Sequence, residues 1–239
     1  MVYFSVLITA MLAGLVQGVT GFGGGIIIML IVPMFFSIPV SAGISGSLGI
    51  ALCAAIVFRY RKEVSVKMAV LPAFLYLAVS SLAISCAVSV DQVLIKRLFG
   101  VFLLLLSCYY LFISKAVQNR RLGFAVSVVC IIISGACDGL FGIGGPLMVL
   151  YFMSMTNSTH AYLGTIQLFF WINSLYNTAF RFFRGVLLPE HLVFIACGMI
   201  GILIGGAAAG KIVDRLNIET MRKLIYVMIG VSGVINLLG

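Results

Sequence analysis

The sequence has very little charge for its length. Only 9% of its 239 residues are Asp, Glu, Lys or Arg, and just six are acidic. A soluble domain carries about 25% charged residues, so the composition excludes an ordinary soluble fold. Hydrophobic residues make up 63% of the chain, and the mean hydropathy is +1.25. We therefore interpret residues 1–239 as a single transmembrane domain of a multi-pass protein.

Clusters of metal-binding or redox-active residues are also missing. The chain has two histidines and no CxxC motif, and its six cysteines are scattered along apolar runs (Cys53, Cys86, Cys108, Cys130, Cys137 and Cys197). This pattern argues against a disulfide framework, a metal site and a bound cofactor, and is typical of thiols that pack as small apolar groups. A cation channel or metal transporter would normally place several carboxylates or histidines together in the membrane, but Asp138 is the only acid within an apolar run.

Long apolar runs dominate the chain. They cover residues 3–36, 41–58, 68–89, 98–114, 122–156, 161–180, 191–210 and 224–238. A helix needs about 20 residues to cross the hydrocarbon, so six runs are about one span long, whereas 3–36 and 122–156 are too long. The sequence therefore predicts an all-α membrane protein with eight spanning or hairpin segments. The first run has no basic residues ahead of it, so we interpret it as a membrane segment and not as a cleavable signal.

The two overlong runs match each other when the chain is shifted by 121 residues. Gly14, Gln17, Gly18, Gly21, Gly23 and Gly24 then fall on Gly135, Asp138, Gly139, Gly142, Gly144 and Gly145. The segment FRYRKEV at 58–64 similarly meets FRFFRGV at 180–186, and DQVLIKRL at 91–98 resembles NIETMRKL at 217–224. We therefore predict an internal repeat of 1–116 and 122–239.

The distribution of Lys and Arg favours an inverted repeat. If each overlong run crosses the membrane once, the connecting segments carry nine basic residues on one side and six on the other. If each run enters, turns at its glycines and returns, the counts become eleven and four, with 90–97 and 181–190 as outer loops. Basic loops concentrate in the cytoplasm, so the second arrangement is preferred. It gives each half a re-entrant hairpin plus three crossings, an inverted relation between the halves, and both termini outside.

The interruptions are two glycine elbows, GVTGFGGG at 18–25 and GLFGIGGP at 139–146. Non-helical backbone is tolerated within the membrane only when it is buried in protein or lines a wet cavity. We expect helices to restart at Gly25 and Pro146, so that their first-turn N–H groups face an anion. The predicted substrate-binding residues of the elbows are Gln17, Thr20, Gly21, Gly23, Gly24, Gly25, Gly142, Gly144 and Gly145. Close helix packing by small residues is the alternative.

The paired motifs GLVQGVTGFGGG (14–25) and GACDGLFGIGGP (135–146) resemble those of the sulfite exporter TauE/SafE family of bacterial membrane permeases. The basic segment after each second run and the four-run spacing of each half add to the resemblance, which covers nearly the whole chain. It implies a non-enzymatic anion transporter of the bacterial inner membrane, with a small sulfur-containing anion such as sulfite, thiosulfate or an organosulfonate as its substrate.

Asp138 falls opposite Gln17 in the repeat and breaks its symmetry. A carboxylate within the membrane is expensive and often marks function, so one hypothesis is that Asp138 takes up a proton and couples it to anion movement. The alternative is an Asp that bonds neighbouring backbone N–H groups in the elbow.

Other polar side chains follow the elbows. Asn173 and Asn177 share a helix face and are predicted to bind the substrate, with hydrogen bonding between helices as the alternative. The same two interpretations apply to the neighbouring Thr165, Gln167 and Ser174 and, in the first half, to Ser41, Ser45 and Ser47. Arg59 and Arg181 occupy matched helix ends, where arginines usually reach the membrane interface, although either is also a possible anion contact.

Competing functions have weaker support. GISG at 43–46 fits the GxSG motif of rhomboid proteases, but a serine nucleophile needs a base, and His160 and His191 lie at predicted loop edges. GGAAAGKI at 205–212 lacks the hydroxyl residue that ends a nucleotide-binding P-loop. The alternative of a non-transporting subunit of a membrane complex stays open.

The net charge of +9 is explained by membrane orientation without nucleic acid. The expected partners are the lipid bilayer, a small anion and a second copy in a homodimer.

Overall fold

The computed structural model describes residues 2–108, 123–156 and 158–212, which form nine α-helices and no strand. The helices are α1 (Val2–Thr20), α2 (Gly24–Ile31), α3 (Ile38–Arg59), α4 (Val66–Ser89), α5 (Gln92–Cys108), α6 (Phe124–Phe141), α7 (Gly145–Met155), α8 (Thr159–Phe183) and α9 (Leu192–Ile212). Short 3₁₀ helices cover Val32–Met34 and Pro189–His191. The predicted all-α class is confirmed for this part of the chain. The predicted run 224–238 lies outside the described residues.

Within residues 2–108, 123–156 and 158–212, five segments are long and apolar enough to cross a membrane, judged by length and composition. They are α1, α3, α4, α6 and the segment Pro189–Ala209, which contains most of α9. The 25 residues of α8 also suffice for a crossing, since a helix rises 1.5 Å per residue. Its polar side chains distinguish it from the other long helices. The chain is therefore a multi-pass membrane protein.

Both overlong runs break at their glycines. Gly21 and Gly23 lie between α1 and α2 with φ of 80° and 92°, and Gly142 lies between α6 and α7 with φ of 66°. Residues with a Cβ rarely adopt such values, which explains why glycine is needed at these turns. The second helix of each run begins at Gly24 or Gly145, one residue before the predicted restart.

The short helices pack back against the helices that precede them. A Cβ on Gly24 would meet the Gln17 side chain and lie 3.2 Å from the Ala13 carbonyl, so α2 returns along α1. A Cβ on Gly144 would lie 2.8 Å from the Ser134 carbonyl, so α7 likewise returns along α6. Each break thus separates a long helix from a short helix of 8 or 11 residues.

The centre of the fold is an antiparallel pair formed by α3 and α8. Gly49 packs beside Ser174 and Gly46 beside Thr178. At the end of α3 the Tyr60 ring stacks on His160, which lies in the first turn of α8, with ring centroids 5.3 Å apart. The C-terminal end of α3 therefore lies beside the N-terminal end of α8.

Two closely packed parallel helix pairs flank this centre. In the pair α1–α9, added methyl groups on Gly201 and Gly205 would overlap the carbonyls of Leu7 and Met11. In the pair α4–α6, a Cβ on Gly135 would lie 2.8 Å from the Tyr76 carbonyl. Such backbone approach is the packing that small residues allow in membranes. Each pair joins one helix from the first predicted repeat to one from the second.

Segment 90–97, predicted as a loop, is mostly helical, since α5 begins at Gln92. The reason is an Asp at the helix start: the Asp91 carboxylate accepts from the N–H of Leu94 at 3.4 Å, and the Asp91 carbonyl accepts from Ile95. The basic residues Lys96 and Arg97 consequently lie on the helix. Of the cysteines, Cys53 and Cys130 are buried as expected, whereas Cys86 and Cys108 are exposed.

Candidate substrate cavity

A cavity of about 80 Å³ lies where the two glycine breaks meet. The breaks and the helices that follow contribute Phe22, Gly23, Gly25, Ile26 and Ile28 from the first half, and Gly142, Ile143, Gly144, Gly145 and Pro146 from the second. A Cβ on Gly25 would lie 3.0 Å from the Gly142 carbonyl, so the two breaks pack directly against each other. The cavity is therefore built jointly by both halves of the predicted repeat.

The long helices supply the remaining walls. Ser45, Gly46, Gly49 and Cys53 come from α3, and Phe170, Asn173 and Ser174 come from α8. Gln17, Tyr76, Asp138 and Ile202 complete the lining from α1, α4, α6 and α9. Asp138 is the one charged residue among these lining residues, and no Lys or Arg is present in the set.

The first break is held by a pair of buried glutamines. The Gln167 Nε2 group donates to the Gly21 carbonyl at 2.7 Å, and the Gln17 Nε2 group donates to Gln167 Oε1 at 3.1 Å and to Cys53 Sγ at 3.4 Å. The Thr20 hydroxyl donates to the carbonyls of Val16 and Phe22 at 2.9 and 2.6 Å. Side chains therefore satisfy carbonyls that the interrupted helix leaves open, as a membrane interior requires.

The second break is held by a polar chain that crosses three helices. The Asn177 Nδ2 group donates to Asp138 Oδ2 at 2.6 Å, and the Ser80 hydroxyl donates to Asn177 Oδ1 at 2.9 Å. The Tyr76 hydroxyl also hydrogen-bonds with the Asp138 carboxylate. These partners of the carboxylate are side chains of α8 and α4, not the elbow N–H groups of the alternative interpretation.

Arg181 is one of the most deeply buried side chains of the described residues, with 2% of its surface exposed. Its guanidinium donates to the carbonyls of Gly139, Asp138 and Pro39 at 2.7, 3.1 and 3.2 Å. A cation at the C-terminal end of α6 is favourably placed for the helix dipole. The expectation that Arg181 reaches the membrane interface is therefore wrong, because its guanidinium is held by backbone carbonyls of α6 and α3, whereas Arg59 is exposed.

A smaller cavity of about 20 Å³ lies beside Arg181. Its lining includes Asp138 and Gly142, which also line the main cavity, together with Asn177 and Thr178. Asp138 therefore faces both spaces, which accounts for its intermediate exposure.

Most of the predicted site residues meet at these cavities. Gln17, Gly23, Gly25, Gly142, Gly144, Gly145, Asn173 and Asp138 line the main cavity, and Asn177 lines the smaller one. Three predicted residues are absent from both linings. Thr20 and Gly21 shape the first turn, and Gly24 allows α2 to approach Gln17.

Several lining residues carry no recognisable signal in the sequence. Tyr76 lies in an apolar stretch of α4, and Phe22 and Phe170 look like ordinary membrane aromatics. Cys53 stands alone in its run. Only packing between distant helices brings these side chains to the cavity.

The sulfite exporter TauE/SafE family model matches residues 6–235. The chain belongs to this family. A probable membrane transporter protein of Methanocaldococcus jannaschii is 26% identical over 162 residues, covering 62% of this chain and 60% of that relative, so the match spans less than two thirds of the relative's length. No solved structure gives a match.

TauE/SafE proteins are membrane transporters and not enzymes, which agrees with the resemblance seen in the sequence. The rhomboid alternative has no support from the geometry. Ser45 faces the main cavity, but neither histidine lines it. His160 stacks on Tyr60, and His191 Nδ1 accepts from the N–H of Leu188 at 2.9 Å.

Proposed function

We propose that this TauE/SafE protein is a permease that moves small sulfur-containing anions, such as sulfite, thiosulfate or organosulfonates, by alternating access. The observation that carries the proposal is the cavity shared by the two glycine breaks. Broken helices that meet near the middle of the bundle are the usual construction of a secondary-transporter site.

The cavity wall is rich in groups that donate hydrogen bonds. The lining includes Gly25 from the first turn of α2 and Gly145 from the first turn of α7. First-turn N–H groups have no partner within their own helix and carry partial positive charge. The hydroxyls of Ser45 and Ser174 add further donors. These groups suit oxygen atoms of a small anion.

The two halves form an inverted repeat with re-entrant hairpins in this proposal. The orientation of α3 and α8 supports it, because Tyr60 at the end of α3 meets His160 at the start of α8. At the opposite end, Phe36 before α3 packs against His191 after α8. Segments 59–67 and 181–190 then lie on opposite sides, as the re-entrant arrangement requires; single crossings would place them on the same side.

The plasma membrane of a bacterium is the proposed location. Large apolar side chains cover the outside of the bundle, including Leu71, Phe74 and Leu82 on α4 and Val126, Val129 and Ile133 on α6. Such continuous apolar exposure suits contact with lipid chains.

Transport by the purified full chain in liposomes tests the proposal. We expect uptake of radiolabelled sulfite that unlabelled organosulfonates compete with and chloride does not. Protein-free liposomes give the background. Absence of uptake of any sulfur anion, with the protein folded and inserted, would contradict the proposal and favour a non-transporting subunit.

A further inference from the structure

Asn173 has a hydrogen-bond acceptor without a partner among the described residues. The side chain is 3% exposed and lines the main cavity. Its Nδ2 group donates to the Phe169 carbonyl of the same helix at 2.8 Å. Its Oδ1 atom has no hydrogen-bond partner among the described residues. A buried amide oxygen without a partner is costly, so a ligand that donates a hydrogen bond to it is favoured.

The charges around the cavity also limit which ligand can bind. Asp138 is the only charged residue among the described lining residues, and its carboxylate repels an anion. The nearest buried cation, Arg181, already donates to three backbone carbonyls. The other titratable groups of the lining are Tyr76 and Cys53, which are ordinarily neutral. Two negative charges on a ligand would therefore lack a compensating cation, whereas one charge can be shared among N–H and hydroxyl groups.

We infer that the cavity selects the singly charged, hydroxyl-bearing form of a sulfur oxyanion. This inference rests on the proposed function. The ligand is hydrogen sulfite, and the Asn173 Oδ1 atom accepts the hydrogen of its hydroxyl group. The oxygens that share the negative charge face the donor groups of the glycine breaks. Dianions such as sulfate, thiosulfate and fully ionised sulfite bind more weakly, because they bring a second charge and no hydrogen for Asn173.

Equilibrium binding of radiolabelled sulfite to the purified wild-type chain tests the charge state directly. Each pH unit above the second ionisation of sulfurous acid lowers the hydrogen sulfite fraction tenfold, and the apparent affinity falls with that fraction. Two units above this ionisation, we expect affinity for total sulfite to be about a hundredfold weaker than just below it. Methanesulfonate keeps its single charge over the same range and serves as the control, with a nearly constant affinity.

The variant Asn173→Leu removes the Oδ1 acceptor and keeps the side chain at nearly the same size. We expect hydrogen sulfite to bind about tenfold more weakly, the effect of one lost hydrogen bond, and methanesulfonate to bind as well as before because it has no hydroxyl. Ser127→Ala is the matched control, since the Ser127 hydroxyl is also buried and has no partner in the described part of the chain, but lies outside the cavity lining. It should leave both affinities unchanged.

The outcomes separate the inference from the function on which it rests. The inference is wrong if sulfate or thiosulfate binds as tightly as hydrogen sulfite. It is also wrong if the affinity for sulfite rises with pH as the dianion fraction rises. Neither result contradicts the proposed permease function. If Asn173→Leu weakens the binding of hydrogen sulfite and of methanesulfonate equally, the proposed role of the Oδ1 atom is wrong. Failure of the wild-type chain to bind any of these anions overturns the proposed function as well.

Discussion

At the residue scale, the two breaks use different polar side chains at matched positions. Gln17 forms a neutral bridge to Gln167 in the first half, whereas Asp138 faces Asn177 and Tyr76 in the second. The Arg181 guanidinium donates to a carbonyl of α6 at the second break, and its positive charge also interacts with the Asp138 carboxylate. Of the two matched positions, only the one in the second break therefore carries a carboxylate.

The first prediction concerns Asp138 as a proton carrier. Asp138→Asn should preserve the fold, because the amide oxygen can still accept from Asn177 and Tyr76. We expect anion binding to persist, while a pH gradient no longer drives accumulation of methanesulfonate in liposomes. This substrate is used because its own charge does not change with pH. Full gradient-driven accumulation by Asp138→Asn would refute the coupling role.

The glutamine bridge gives a second prediction. Gln167→Leu leaves the Gly21 carbonyl without its 2.7 Å donor inside the protein. We expect destabilisation of about 1–3 kcal/mol, measured by thermal unfolding in detergent. Because Gln17 and Gln167 act on each other, the double variant with Gln17→Leu should lose less than the sum of the single losses. Strict additivity would show that the bridge is unimportant.

At the element scale, glycines of the repeated motif do two different tasks. Gly14, Gly18, Gly135 and Gly139 face neighbouring helices so closely that side chains would collide with them. Gly21, Gly23 and Gly142 form turns with positive φ. Helix packing and a glycine turn were competing interpretations of the sequence, and each applies to a different part of the motif.

The third prediction compares two glycines with nearly the same backbone conformation. Gly142 and Gly185 have φ of 66° and 68°, so alanine is strained at both, by about 1–2 kcal/mol. A Cβ on Gly142 would also lie 3.0 Å from Ala42, whereas one on Gly185 meets nothing within 4 Å. Gly142→Ala should therefore lower both thermal stability and transport more than Gly185→Ala. Equal effects would mean that the contact with α3 is unimportant.

The fourth prediction concerns the pair α1–α9. Gly205→Ala places a methyl group on the Met11 carbonyl, which forces the two helices apart. We expect a clear fall in the unfolding temperature of the purified protein, since both backbones must shift. Gly123→Ala, with open space around its added carbon, is the control and should be nearly neutral. A neutral Gly205→Ala would indicate that this close packing contributes little to stability.

At the scale of the whole molecule, the closest helix pairs cross between the halves. The first half supplies α1 and α4, and the second half supplies their partners α9 and α6. Backbone contact of this kind resists sliding, because packed interiors have few alternative arrangements. A rocking motion that separates the sequence halves as two bodies would break both pairs. We therefore expect each pair to move as a unit about the central helices α3 and α8.

Membrane topology gives the fifth prediction. Glu63 and Glu190 are exposed acidic residues in the segments that follow α3 and α8. Under the inverted arrangement, Glu63→Cys should react with an impermeant thiol reagent only from the cytoplasm, and Glu190→Cys only from outside. The unsubstituted protein measures background labelling of the native cysteines. Labelling of both positions from one side would exclude the inverted repeat.

Sequence patterns alone predict the membrane class, the sites of the two helix breaks and eight of the residues that line the main cavity. These features are local, because the length of an apolar run, the conformation of a glycine and the periodicity of a segment depend on residues that are neighbours in the chain. The packing of the helices, in contrast, buries Arg181, brings Tyr76 to Asp138, and places α1 and α6 against helices of the opposite half. These features depend on which distant helices come together, and no local pattern specifies a partner on another helix.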